Sequence, residues 1–155
     1  MGSSGKREEK GADVATKADF TETEWKTMQK GVTGAGMLVS VSDPDFTDSF
    51  GEASSLAKYL ADQQQHSGSV LIRDLAHVHG TGFGLTASRE KAETETLDAL
   101  RSAAATLQEK APDELAAYQE LAIGVAEHVA SAKTGVKPSE TEAITKIKEA
   151  LGAAG

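Results

Sequence analysis

The sequence contains no cysteine. Disulfides, thiolate nucleophiles, zinc ribbons and cysteine-ligated iron–sulfur clusters are therefore excluded together. Aromatic residues are scarce as well, 5% of the chain, and many apolar positions are alanine. Helices built this way meet closely and leave little volume, so no cavity for haem or a flavin is expected. No apolar run approaches the roughly 20 residues of a membrane span. The longest, Ala35-Gly36-Met37-Leu38-Val39, is extended only by Val41. Excess positive charge is missing too. The formal net charge is −8, which argues against nucleic acid or an anionic membrane as partner.

What remains is one domain's worth of chain, 155 residues with 39% hydrophobic and 26% charged. The first twenty residues lack the apolar stretch of a secretory signal, so the expected location is cytoplasmic. Residues 1–18 carry four basic and three acidic side chains and one sizeable aliphatic residue, Val14. They are read as a disordered leader or the remnant of an expression tag, because they cannot bury enough apolar area to offset their chain entropy. Their net charge of +1 leaves −9 on residues 19–155, the expected single helical domain.

Helical periodicity dominates that domain. Thr21-Glu22-Thr23-Glu24 has the form of a capping box. Trp25, Met28, Val32, Ala35, Leu38 and Val39 follow at helical spacing. Gly31, Gly34 and Gly36 interrupt them, which leaves one loose helix or two shorter ones open. Small residues on one face would also admit a neighbouring helix. Asp43-Pro44 starts the next helix, whose stripe is Phe46, Phe50, Ala53, Leu56, Ala57 and Leu60. A short helix over 69–78 buries Val70, Leu71, Leu75 and Val78. Ser88 caps a helix over 89–110, with Ala92, Leu97, Leu100, Ala104 and Leu107 inward. The helix over 113–132 buries Leu115, Tyr118, Leu121, Ala122, Val125 and Val129. Ser139-Glu140-Thr141-Glu142 reads as a second capping box opening a helix over 140–151, with Gly152 at its C-cap. No strand-forming run of useful length is present, so the fold class is all-α, a compact bundle of five to seven helices.

Oxygen and imidazole are the metal-binding chemistry left to a chain without cysteine. Asp43, Asp45, Asp48 and Glu52 form the densest oxygen cluster and would suit a hard cation, calcium or magnesium. The spacing is not that of an EF-hand, since Asp48 stands where glycine is required and Ser54 where glutamate is. The same acids also suit a helix N-terminus. Asp74, His77 and His79, with His66 nearby, form the alternative cluster. His77 and His79 share a face in an extended segment, whereas Asp74 and His77 face together on a helix. Gly80-Thr81-Gly82-Phe83-Gly84 lacks the preceding strand of a phosphate-binding loop and reads as an interhelical loop. Glu120, Glu127 and His128 lie on one helix without the spacing of a zinc protease, and no nucleophile elbow is present. Nothing names a nucleophile or a general base.

The segment Val125-Ala-Glu-His-Val-Ala-Ser-Ala-Lys-Thr-Gly135-Val-Lys-Pro-Ser139-Glu-Thr-Glu142, followed by Ala143-Ile-Thr-Lys-Ile-Lys-Glu-Ala-Leu151-Gly, resembles the closing helix pair of TerB-like proteins. Thr23-Glu24-Trp25 and Met37-Leu-Val-Ser-Val-Ser-Asp43-Pro-Asp45 resemble that family's helix feeding an acidic turn. About 75 residues in two pieces carry the likeness. It implies a compact helical domain linked to tellurite resistance and stress responses in bacteria, with acidic turns that meet metal or protein. It adds weight to Asp43 and Asp45. Lys133, where the second turn would have an aspartate, departs from it.

The functional expectation is thus a non-enzymatic stress-response module with a protein partner and a weak divalent-cation site. A metal sensor or metal-dependent enzyme built on His77 and His79, and a self-associating structural bundle, are the alternatives.

Overall fold

The computed structural model describes residues 15–42, 49–77, 88–131 and 138–152. They form six α-helices and one 3-10 turn, with no strand among the described residues. The helices are α1 (Glu22–Ser42), α2 (Ser49–His66), α3 (Val70–Leu75), α4 (Arg89–Lys110), α5 (Pro112–Ala130) and α6 (Pro138–Leu151). The all-α expectation therefore holds, with a helix count inside the expected range.

Helix α1 opens as its sequence dictates. The Thr21 hydroxyl accepts from the Glu24 amide at 3.1 Å, and the Glu24 carboxylate accepts from the Thr21 amide at 2.9 Å. This reciprocal pair satisfies two amides that no helical turn can serve. Ahead of it, the turn Lys17–Asp19 falls across the boundary expected at residue 18. It brings Lys17 over the Trp25 ring and Phe20 beside it, with centroid separations of 5.5 and 6.3 Å.

Beyond Lys30, α1 carries no charged residue and is buried almost all round. A helix apolar on every side needs neighbours on every side. Here α4, α5 and α6 surround it, and each of these four helices packs on the other three. The three glycines explain how one uninterrupted helix tolerates such crowding. A Cβ at Gly31 would strike the Tyr118 hydroxyl of α5, and one at Gly34 would lie 2.5 Å from the Thr96 hydroxyl oxygen of α4. At Gly36 it would meet Val125 and Val129 of α5 at 3.1 and 3.3 Å. The glycines thus serve two neighbours on more than one side of α1, where the sequence reading placed small residues on one face. Tyr118, wholly buried, donates to the Met28 carbonyl at 2.8 Å, and burial pushes its phenol far above the ordinary range.

Charged pairs finish the outside of this body. Lys110 meets Glu24 at 2.7 Å, Lys30 meets Glu95 at 2.7 Å, and Lys146 meets Glu93 at 2.8 Å. They join α4 to α1 and to α6. Arg89 reaches the Ser42 carbonyl at the end of α1, and Gln119 reaches the Leu151 carbonyl at the end of α6. Both satisfy carbonyls that have no partner within their own helix. Ser88 caps α4 by accepting from the Lys91 amide at 3.1 Å. Gly152 follows α6 with φ +74°, the left-handed conformation that glycine adopts without a Cβ penalty.

Two sequence expectations shift. Helix α6 starts at Pro138, so Ser139 lies inside its first turn and its hydroxyl caps nothing; Glu140 is buried there instead. Proline suits the first helical position because its missing N–H is not needed. The buried stripe of α4 is Ala92, Thr96, Ala99, Leu100, Ala103 and Leu107, with Leu97 only half-buried. Packing against Gly34 admits the small Thr96 where the pattern of leucines pointed one residue further on.

Helices α2 and α3 form a hairpin set on α5. Ser69 caps α3 by accepting from the Ile72 amide at 3.2 Å and donates to Glu114 of α5 at 2.7 Å. Leu60, Leu71, Ile72 and Leu75 are buried and belong to the same continuous core as the central helices.

Candidate functional site at the seam of two helices

The acidic cluster lies largely outside the described residues: Asp43, Asp45 and Asp48 fall there, and Glu52 stands in the first turns of α2. Of the alternative cluster, Asp74 lies in the last turn of α3 and His77 comes two residues after Leu75, where that helix ends. Both are exposed, and the His77 amide donates to the Asp74 carbonyl at 3.1 Å. His79 and the Gly80–Gly84 loop lie outside the described residues. His66 closes α2, with its Nδ1 3.0 Å from the Asp62 carboxylate. Among the described residues no three acidic or histidine side chains are grouped to hold a metal ion.

A different cluster is assembled where α2 crosses α5. Tyr59, from the middle of α2, lies against the backbone of α5 at Gly124. A Cβ there would collide with the phenol oxygen and come within 2.6 Å of Cζ. Glycine at 124 is thus what lets the ring lie down. One turn later on α5, the His128 imidazole stacks on Tyr59, with centroids 4.2 Å apart and planes inclined by 30°. His128 Nδ1 lies 2.8 Å from the Gly124 carbonyl. A carbonyl oxygen only accepts, so Nδ1 carries a proton and donates in this contact. The Tyr59 hydroxyl donates to the Glu120 carbonyl at 3.5 Å.

The surroundings are negative. Burial first, then the carboxylates of Glu120, Asp62 and Glu127, push the Tyr59 phenol above its ordinary value. A phenol so placed stays protonated at neutral pH. Its ionised fraction is smaller than that of a free tyrosine, and the ring serves as an apolar platform with a polar edge. Partly exposed aromatic rings framed by carboxylates suit contact with a cationic group.

Glu120, Glu127 and His128 stood out in the sequence, but their partner on α2 did not. Tyr59 falls outside the apolar stripe of its helix. The legible signal was Gly124, a lone glycine within a strongly apolar helix, which marks close approach of something large.

No helix among the described residues is long and apolar enough to cross a membrane. No protein-family model, curated protein or solved structure matches this chain.

Proposed function

We propose that the chain is a non-enzymatic interaction module of the TerB-like kind. It acts in a bacterial stress response through contact with a protein partner, with a weak calcium or magnesium site at Asp43, Asp45, Asp48 and Glu52 as a second element. The observation that supports it is the Tyr59–His128 pair, the tyrosine half-buried and the histidine exposed, bordered by Asp62, Glu120 and Glu127. Interfaces favour such aromatic groups because they bury area while keeping a polar end. The acidic frame selects a partner bearing lysine or arginine.

Photo-crosslinking in the source cells from position 127, compared with the exposed Gln108 of α4, tests the partner. A discrete adduct from position 127 alone is expected; equal labelling at both positions refutes the assigned surface. Calcium titration followed by amide NMR tests the cation element. Shifts confined to residues 43–52 at millimolar calcium are expected, and an unchanged spectrum removes the site.

A further inference from the structure

We propose that α2 and α3 open together from a four-helix body that stays folded, and that Tyr59 seated on Gly124 is the latch. In the body every pair among α1, α4, α5 and α6 is in contact. The hairpin rests on one of these helices, α5, with a smaller contact to α1 where Leu56 meets Gly36.

The hairpin also carries its own ties. Gln64 Nε2 donates to the Ala76 carbonyl at 3.0 Å, Arg73 Nη1 to the Ser67 carbonyl at 2.6 Å, and the Ile72 amide to the Ser69 hydroxyl. All three lie within residues 64–76 and survive detachment. A six-residue helix such as α3 does not persist alone, so these ties are what make the hairpin move as a unit. Across the seam, the Tyr59 hydroxyl and the Ser69–Glu114 hydrogen bond are exchanged for water on opening, which offsets part of the loss. Leu60, Leu71, Ile72 and Leu75 oppose opening, because each returns apolar area to water. The closed form therefore dominates, and opening uncovers Gly36 of α1, which Leu56 meets in the closed form. Local opening of this kind is expected where few elements hold a segment.

Native-state hydrogen exchange of the full chain in sub-denaturing urea tests this. Amides of residues 60–75 should converge on one opening reaction that lies below that of α1, α4, α5 and α6. A single opening shared by all helices overturns the proposal, as does separate opening of α2 and α3. Gly124→Ala should speed exchange across 60–75 by about tenfold or more, the scale of overpacking, and the body amides should keep their higher opening free energy above that of the hairpin, because strain in the closed form counts toward every opening alike. With Tyr59→Ala already present, the same substitution should add less than about twofold, because the ring it would strike is gone. Unchanged exchange across 60–75 removes the latch, and a Gly124→Ala chain that fails to fold at all shows that the body depends on the hairpin and ends the idea.

Discussion

The four-helix body and the α2–α3 hairpin use glycine for opposite ends. In the body, Gly31, Gly34 and Gly36 let a charge-free helix sit within van der Waals reach of its neighbours. What enters each gap is buried: Tyr118, Thr96, Leu100 and the valines of α5. At the hairpin, Gly124 makes room for a half-exposed tyrosine with carboxylates around it. Similar local geometry gives a rigid joint in one place and a wettable one in the other. The difference lies in what surrounds the glycine, since buried gaps admit no water and no rearrangement.

The sharpest way to break this contrast is at Gly31. Gly31→Ala drives a methyl group into the Tyr118 hydroxyl and Leu100, both fixed by burial. Overpacking and the loss of the Tyr118–Met28 bond outweigh the gain in helix propensity, for a net loss of about 2–3 kcal/mol by urea denaturation. An unchanged midpoint would show that the body has slack.

Tyr118→Phe isolates one part of that effect. It removes the hydrogen bond and keeps the ring, so about 1 kcal/mol of global stability should go. Ser69→Ala acts on the other side of the comparison. It deletes the cap of α3 and the bond to Glu114, with a local loss of about 1 kcal/mol. Amide exchange in α3 should rise several-fold. Unchanged exchange in α3 would show that neither the cap nor the bond to Glu114 holds the hairpin.

The smallest effect is electrostatic and belongs to the body. Lys110 holds the Glu24 carboxyl below its ordinary value of 4.5, helped by the Thr21 amide, and Lys30 does the same for Glu95. A carboxyl with a depressed folded value stabilises above its unfolded value and loses that contribution as pH falls through the folded one. Melting temperature should therefore decline in acid below the ordinary carboxyl value. Glu24→Gln and Glu95→Gln should each flatten that decline in low salt, and added salt should erase the difference. Identical acid limbs in wild type and variants would show that the pairs contribute nothing.

Local chemistry made the helices legible in the sequence. The Thr21–Glu24 box, the Ser88 cap and Gly152 act within a few residues, and each stands where its pattern placed it. Features that depend on a distant neighbour were not legible. Ser139 looks like a cap but lies within a helix that begins at Pro138. Thr96 looks polar but fills the gap at Gly34, and the glycines of α1 looked like breaks because all their partners but Leu56 lie about 60 to 100 residues away. The same limit hid the seam, since Tyr59 and His128 belong to separate helices and only the crossing of α2 over α5 joins them.

The burial of α1 also sets an order of events during synthesis. This helix precedes all three of its covering helices, and α6 begins roughly 100 residues after α1 ends. At ribosomal speed that is an interval on the order of 5–20 s. Throughout it, the uncharged stretch from Gly31 to Ser42 lacks its final shield, which makes α1 the natural point of engagement for a holding chaperone and the first place where a stalled chain would aggregate.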